Sequence, residues 1–244
     1  MSGSTPVFPP DVGDVDVWWI DLDSVEDEVP SVLSHDERLR AERLRCPRDR
    51  ARWTCARVAL RRILTGYTRM MPAELQLTLG THGKPALVDE PSLRFNLAYA
   101  GGRAALAVAR NRDVGIDLEP IDPGLDVWPL LAVSCSQEEA ARIAAHAPLA
   151  RPEAFLTYWT LKEAYLKGIG VGLSRDPRTV EIALLPDGRA IITDVLTAAD
   201  DPQWGVCLLD AGSGWVAAVA ASGQLPSIAV YHWSPSRDIA RAGG

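Results

Sequence analysis

Two carboxylates stand two residues apart in the segment VGIDLEP, at Asp117 and Glu119. Because side chains alternate along a β-strand, a strand here would place both carboxylates on one face and Val114, Ile116 and Leu118 on the other. The segment itself contains no lysine or arginine to pair with them. One interpretation is the solvated face of an antiparallel sheet, where acidic side chains cost little. The other is a site for a hard divalent cation such as Mg²⁺, which binds carboxylate oxygens.

A second group of charged residues lies in FLTYWTLKEAYLKGIGVGL, residues 155–173. Helical spacing places Trp159, Glu163 and Lys167 on one face, each four residues from the next, with Lys162 beside them. The simpler interpretation is an exposed Glu–Lys pair, which commonly stabilises a helix surface. The large tryptophan on the same face favours instead a face that is at least partly buried, where charged groups need partners.

Together, the two segments contain the components of a metal site. Asp117, Glu119 and Glu163 would supply three carboxylates, and lysines would lie nearby. In phosphoryl-type transfer, a metal and cations neutralise charge on the phosphates while a base activates the attacking hydroxyl. The pattern therefore indicates an enzyme of this broad class.

The composition excludes several other classes of protein. The chain has 244 residues, 47% of them hydrophobic, and a formal net charge of −7, which is typical of a globular protein without general affinity for nucleic acid. The arginine-rich stretch at residues 38–62 would give a basic surface for a small anion or an acidic protein, unless it is only the solvated side of two helices. The four cysteines lack zinc-site spacing, and a disulfide framework is not expected. With no signal peptide or membrane span evident, we expect a cytoplasmic protein.

The order of elements predicts an α+β protein of two similar halves, each with helices first and antiparallel-looking strands after. Predicted helices cover residues 32–44 and 47–64, and two more begin at the capping box Ser136–Glu139 and at Pro152. The last helix would end at a run of glycines: Gly168, Gly170 and Gly172. The predicted strands are residues 15–22, 93–97, 104–110, 114–120, 180–185, 190–196, 203–209, 215–221 and 228–233. We expect a loose segment at residues 1–12, an N-terminal lobe at 13–121 and a C-terminal lobe at 122–244.

A family resemblance rests on two motifs. GIDLE at residues 115–119 and WTLKEAYLK at residues 159–167 resemble the paired signature of the Sfp-type 4′-phosphopantetheinyl transferases, and the two together are far more specific than either alone. The resemblance extends to GKP at residues 83–85, to Phe95 and Asn96, and to the arginine-rich helix with Asp49 and Arg52. It implies two pseudo-symmetric lobes, each with helices packed on a mostly antiparallel sheet, and an active site in the cleft between them.

The reaction that this resemblance implies uses coenzyme A. Its phosphopantetheine arm is transferred to a serine of an acyl or peptidyl carrier protein, and 3′,5′-ADP is released. By this resemblance, Asp117, Glu119 and Glu163 would bind Mg²⁺ against the pyrophosphate of coenzyme A. Glu163 would also deprotonate the serine, directly or through a metal-bound water. Lys167 would neutralise charge on the pyrophosphate, with help from Lys162.

The resemblance also implies contacts for the remainder of the two substrates. Arg52, Lys84 and Pro85 would contact the adenosine 3′-phosphate end of coenzyme A. Carrier proteins are typically acidic, so the arginine-rich stretch would have a further role at the surface that meets them. We expect a monomer with neither nucleic acid nor membrane as a partner.

One segment departs from the family pattern Phe-Asn-x-Ser-His-Ser. It reads FNLAYA here, so Ala98, Tyr99 and Ala100 stand where the family has serine and histidine contacts to the 3′-phosphate. Tyr99 would offer one neutral hydroxyl where an imidazole could offer a charged donor. Losing such a hydrogen bond costs about 1.5–3 kcal/mol, or roughly ten- to a hundredfold in affinity. Three functions stay open: an active transferase with altered coenzyme A contacts, a member repurposed for other biosynthetic chemistry, and a non-catalytic module that binds carrier proteins.

Overall fold

The computed structural model describes residues 14–24, 32–68, 70–80, 82–197, 203–234 and 240–241, which form five α-helices and twelve strands. The protein is therefore of the α+β class, as predicted. The helices, in chain order, are α1 (His35–Arg43), α2 (Pro47–Tyr67), α3 (Trp128–Ser134), α4 (Gln137–Ala144) and α5 (Arg151–Ile169). The strands are β1 (Val15–Asp21), β2 (Leu77–Leu79), β3 (Pro85–Leu87), β4 (Leu93–Ala100), β5 (Arg103–Arg110), β6 (Val114–Pro120), β7 (Val180–Leu184), β8 (Arg189–Asp194), β9 (Trp204–Leu209), β10 (Trp215–Ser222), β11 (Ile228–Trp233) and β12 (Ala240–Arg241).

The chain divides into two compact units that are not continuous in sequence. Residues 1–78, 85–111 and 227–244 form the first unit, and residues 79–84 and 112–226 form the second. This division differs from the lobe boundary expected after residue 121, because β6 pairs with β10 in the second unit while β11 pairs with β1 in the first. The segment expected to be loose, residues 1–12, lies outside the described residues. Within the described ranges, no helix is both long and apolar enough to cross a membrane.

The first unit packs α2 against a five-stranded sheet of order β12-β11-β1-β5-β4. The pairing of β1 with β11 is parallel, and the other pairings in this sheet are antiparallel. Its buried core includes Trp18 from β1, Leu60 from α2, and Phe95 and Leu106 from β4 and β5. The strands β2 and β3 form a separate two-stranded sheet.

The second unit packs α5 against a five-stranded antiparallel sheet of order β6-β10-β9-β8-β7. The helix begins with Pro152 in its first turn, where the missing backbone N–H costs nothing. It ends at Gly170, whose φ of +81° is the left-handed conformation that glycine adopts without strain. Gly168, expected at the helix end, lies inside the helix instead.

The two units share one buried arrangement, which supports the expectation of two similar halves. In each unit a capping-box glutamate, Glu37 in the first turn of α1 and Glu139 in the first turn of α4, is bound by a buried cation from a later helix. Arg61 Nε lies 2.6 Å from Glu37 Oε2, and Arg61 Nη1 donates to the carbonyls of Pro72 and Leu75. Lys162 Nζ lies 2.6 Å from Glu139 Oε2. Because both charges of such a pair are buried, removing either one would leave the other uncompensated.

Candidate active site

The strand β6 has the predicted bounds, but both of its faces are covered. Asp117 is only 4% exposed, so the interpretation of its face as solvated is wrong. The reason is Gly115, whose lack of a side chain lets α5 lie directly on the strand. A Cβ built there would stand 2.0 Å from Ala164 O and 2.3 Å from Gly168 N, closer than real atoms approach. Glycine at this position therefore brings the carboxylate face of β6 against the helix.

The helix α5 presents Glu163 and Lys167 to that carboxylate face. Lys167 Nζ lies 2.5 Å from Asp117 Oδ1 and 3.9 Å from Glu163 Oε2. Glu163 is 6% exposed. The simple exposed Glu–Lys pair is therefore the wrong interpretation, because the lysine makes its short contact with the strand and the glutamate is buried. The partly buried face that Trp159 predicted is confirmed.

The carboxylates influence one another electrostatically. Burial raises the pKa of Glu163 to about 7; the Lys167 cation opposes this rise, and the charges of Asp117 and Glu119 add to it. Burial also raises the pKa of Asp117, against the lowering effect of Lys167. The pKa of Glu119 is raised by burial and by Asp117, and a hydrogen bond with the Trp159 side chain partly offsets this. The three groups predicted from the sequence thus share one electrostatic environment.

Two carboxylate oxygens at this site are buried without a hydrogen-bond partner in the described part of the chain: Asp117 Oδ2 and Glu163 Oε1. Buried acceptors normally have partners, and leaving one unsatisfied costs about 1–3 kcal/mol. Within the described ranges, no three carboxylate, thiol or imidazole groups are arranged closely enough to form a metal site by themselves. The donor set nevertheless fits a hard divalent cation, because it consists of carboxylate oxygens with free lone pairs.

Lys162, expected to assist at the pyrophosphate, has a different environment. It is 1% exposed, and its Nζ donates to Glu139 Oε2, Ser134 O at 2.8 Å and Pro177 O at 3.1 Å. Glu139 is also held by its other oxygen, which accepts from the backbone N–H of Ile182 at 2.8 Å. Lys162 is therefore occupied by a buried ion pair, which contradicts the expectation that it assists at the pyrophosphate of coenzyme A. Residues 162 and 163 are neighbours on a helix and point about 100° apart, so only one of them reaches the carboxylate face.

The other predicted contact residues lie in both units. In the second unit, Lys84 Nζ donates to Gly168 O at 2.6 Å. In the first, Arg52 makes a two-point ion pair with Asp23, with both N···O distances at 2.7 Å. Pro85 opens β3. In the segment that departs from the family pattern, Ala98 is buried, whereas Tyr99 is 53% exposed on β4. Its hydroxyl is therefore not committed to the protein core.

Two residues that support this site were missed in the sequence. Glu139 was recognised only as a capping residue, since the capping box explains its position without any buried cation. Trp204 gave no signal, because one aromatic residue in a strand is ordinary core material. It packs on the last turn of α5, where a Cβ at Gly168 would stand 2.5 Å from its ring.

Known proteins that resemble this chain share the region in which these site residues lie. The sequence profile of the 4′-phosphopantetheinyl transferase superfamily matches residues 113–220, which contain both motifs. The chain is 34% identical to the 4′-phosphopantetheinyl transferase HetI of Nostoc sp., over 91% of this chain and 90% of that protein. The chain belongs to the 4′-phosphopantetheinyl transferase superfamily.

Two further relatives agree with this assignment, and one solved structure is similar in part. The phosphopantetheinyl transferase of Thraustochytrium sp. is 32% identical over 76% of this chain and 69% of that protein. The 4′-phosphopantetheinyl transferase Sfp of Bacillus subtilis is 24% identical over 66% of this chain and 71% of that protein. A holo-(acyl-carrier-protein) synthase structure from Bacillus anthracis, solved in complex with CoA (3′,5′-ADP), covers 46% of this chain and 96% of its own at 16% identity and a TM-score of 0.38. The relatives confirm an enzyme with 4′-phosphopantetheinyl transferase activity and do not favour the repurposed or non-catalytic alternatives.

Proposed function

We propose that this transferase uses coenzyme A as donor and the serine of an acyl or peptidyl carrier protein as acceptor, with Mg²⁺ bound by Asp117, Glu119 and Glu163. The observation that carries this proposal is a pair of buried oxygens, Asp117 Oδ2 and Glu163 Oε1, which lie beside the Lys167 cation and have no hydrogen-bond partner among the described residues. An unliganded carboxylate cluster of this kind is unfavourable. A divalent cation would satisfy it, and the pyrophosphate would then bind to that cation and to Lys167.

The chemistry follows from what each side chain can hold. The serine oxygen bonds to the phosphorus that carries the pantetheine arm, and the bond from that phosphorus to the bridging oxygen breaks, so 3′,5′-ADP leaves. Glu163 accepts the serine proton; its pKa is about 7 in the protein without metal, and a bound cation would lower it. Lys167 neutralises charge on the pyrophosphate oxygens. Mg²⁺, when bound, would supply further charge neutralisation to the same oxygens.

The remaining contacts to coenzyme A are proposed for Arg52, Lys84, Pro85 and Tyr99. Two of them are cations. Lys84 donates to Gly168 O, and the Arg52 guanidinium donates two parallel hydrogen bonds to Asp23, a geometry that equally suits a phosphate. Tyr99 supports the proposal by its exposure, which leaves its hydroxyl accessible.

The proposed carrier-protein partner is supported by a basic surface. Six arginines of the first unit are exposed along α1, the following turn and the start of α2: Arg38, Arg40, Arg43, Arg45, Arg48 and Arg50. A concentration of positive charge on a chain with a net charge of −7 would steer an acidic partner to this surface. The monomeric state and the cytoplasmic location stay predictions.

Intact-protein mass spectrometry of apo carrier proteins tests the proposal. Incubation with this enzyme, coenzyme A and Mg²⁺ should add the mass of one phosphopantetheine to the carrier. Omission of Mg²⁺ should abolish the addition, and the variant Glu163→Gln should slow it by about 10²–10⁴. Glu153→Gln is the matched control, because it makes the same change at an exposed position in the first turn of the same helix. Full transfer without divalent cation would contradict the metal assignment.

Thermal unfolding separates binding from catalysis. Coenzyme A should stabilise the enzyme in the presence of Mg²⁺ by about 2.7 kcal/mol at a hundredfold excess over its dissociation constant. The stabilisation should be much smaller with either ligand alone. Without the metal, the pyrophosphate of coenzyme A would meet uncompensated carboxylates, and without coenzyme A the metal would lack the pyrophosphate oxygens. Equal stabilisation with and without Mg²⁺ would show that the metal does not bind together with coenzyme A.

A further inference from the structure

The last turn of α5 contains a glycine whose side-chain position is already occupied. Gly168 follows Lys167 directly, and a Cβ at Gly168 would stand 2.5 Å from Trp204 Cζ3 and 2.9 Å from Cη2. Gly168 is an interior residue of the helix, so the backbone conformation does not demand glycine there. The indole ring does.

The same turn is also contacted by the strand that carries Asp117. The Cβ position of Gly115 is 2.3 Å from Gly168 N and 2.8 Å from Gly168 Cα. These are backbone atoms, which cannot rotate away as a flexible side chain could. The backbone of the turn that carries Lys167 is thus in close contact with β6. On another side of the same turn, the ring of Trp204 fills the space where a side chain of residue 168 would lie. A tightly packed environment of this kind does not absorb an added methyl group without movement.

Trp204 is itself held in place. Its ring packs edge-to-face on Tyr165, with centroids 5.6 Å apart and an interplanar angle of 88°. The Tyr165 hydroxyl donates to Asp194 Oδ2 at 2.9 Å. The neighbouring Gly205 lies so close to Leu225 that a Cβ would stand 2.4 Å from its backbone nitrogen. The indole ring is therefore held in position by its neighbours, and an added side chain that clashes with it would move the helix turn.

Two cations of the site depend on that turn. Lys167 reaches Asp117 from the residue before Gly168, and the Gly168 carbonyl accepts the hydrogen bond from Lys84 Nζ. We propose that Gly168 and Trp204 are positioning residues, which set the place of the Lys167 ammonium for transfer. This inference rests on the proposed function of Lys167 at the pyrophosphate.

The variant Gly168→Ala tests the inference by steady-state kinetics. We expect kcat to fall about ten- to a hundredfold, because displacement of a catalytic group by about 1 Å can cost that much. The KM for the carrier protein should stay within twofold. The double variant Gly168→Ala/Trp204→Leu should restore most of the lost kcat, since leucine lacks the ring atoms that occupy the Cβ position. Gly124→Ala, in an exposed turn with only a side-chain oxygen nearby, is the matched control and should leave kcat unchanged.

A double-mutant cycle distinguishes positioning from loss of structure. In a Lys167→Met background, Gly168→Ala should lower kcat by no more than about twofold, because its effect passes through the missing lysine.

Three outcomes would overturn the inference: an undiminished kcat in Gly168→Ala, no recovery with Trp204→Leu, or an equal further loss in the Lys167→Met background. If Gly168→Ala does not fold, Trp204→Leu takes its place in the cycle. The cavity left by the smaller side chain should loosen the turn and lower kcat when Lys167 is present, but not in the Lys167→Met background. Absence of transfer by the wild-type enzyme would contradict the proposed function itself, whereas an active wild type with uncoupled variants would contradict only this inference.

Discussion

Lys167 Nζ lies 2.5 Å from Asp117 Oδ1, although fifty residues separate the two in sequence. The contact uses one oxygen of the carboxylate and leaves the other, Oδ2, buried and unpartnered in the described part of the chain. A cation and the lysine can therefore share Asp117 without displacing each other. The same carboxylate would then link metal and lysine at the pyrophosphate, which gives it two functions at the site.

Asp117→Asn should reduce kcat at least a hundredfold while the protein still folds. The amide keeps the size of the carboxyl group but loses the charge that binds Lys167 and would bind the proposed metal. Transfer to an apo carrier protein, followed by mass, measures the loss, and circular dichroism checks the fold. Asp210→Asn, an exposed aspartate in a turn, should behave as wild type. Wild-type activity in Asp117→Asn would remove this residue from the site.

The pH dependence of kcat/KM at limiting Mg²⁺ should show an acidic limb with a midpoint near pH 7. The pKa of Glu163 is raised to about 7 in the protein without metal, so the proposed base is protonated and inactive below that pH and active above it. Saturating Mg²⁺ should move the limb to lower pH, because a bound cation favours the ionised carboxylate. Glu163→Gln should lose about 10²–10⁴ in rate, and its residual activity should lack this limb. A limb near pH 4.5 at limiting Mg²⁺ would show that the raised pKa of Glu163 does not govern the reaction.

The same group should make the stability of the ligand-free protein fall with pH. Because the folded pKa of about 7 lies above the ordinary glutamate value of 4.5, the folded state binds this proton more tightly between the two values. Its contribution of about 3 kcal/mol is complete well below pH 4.5 and is lost as pH rises through 7. Glu163→Gln cannot titrate, so it should exceed the wild type in stability by about 1 kcal/mol at pH 5 and by about 3 kcal/mol at pH 8. Denaturant unfolding at both values measures the difference, and a constant difference would contradict it.

Lys162→Met should damage stability far more than catalysis. Removing one partner of a buried ion pair leaves Glu139 charged and unpaired, at a cost of about 3–5 kcal/mol. At a temperature where the variant is still folded, its KM for coenzyme A should be within about threefold of wild type. Arg189→Met, which breaks an exposed pair with Asp187, should not change the unfolding midpoint measurably. A stable Lys162→Met variant with a greatly raised KM would reinstate Lys162 as a coenzyme A contact.

Tyr99→His should make the KM for coenzyme A depend on pH. A histidine at this exposed position would be charged at pH 6 and could form a charge-assisted hydrogen bond to phosphate, which is lost at pH 8. We expect a KM about tenfold lower at pH 6 than at pH 8, relative to the same ratio in wild type. Tyr99→Phe is the control and should show no such change. The same ratio in all three proteins would place Tyr99 outside the coenzyme A site.

Much of the secondary structure could be predicted from the sequence, because the residues that determine it lie close together in the chain. The capping box of Ser136 and Glu139 and the first-turn proline of α5 are contained within a few residues, and both helices begin where predicted. The strand at 114–120 was recognised from its alternation. The short helix α3 was not predicted, since seven residues carry too little periodicity, and the return of β11 to β1 involves residues more than two hundred positions apart.

For the site, the sequence by itself determined the chemistry: carboxylates at 117, 119 and 163, a lysine at 167, and the family to which their spacing belongs. Residue type and local spacing are properties of the chain. Only the tertiary structure decided which charges meet, because that depends on how closely two elements approach. Gly115 lets α5 lie on β6, so Lys167 reaches Asp117, while Lys162 is directed to Glu139. Burial, which raises the pKa of Glu163 and makes Gly168 necessary beside Trp204, likewise exists only after the chain has folded.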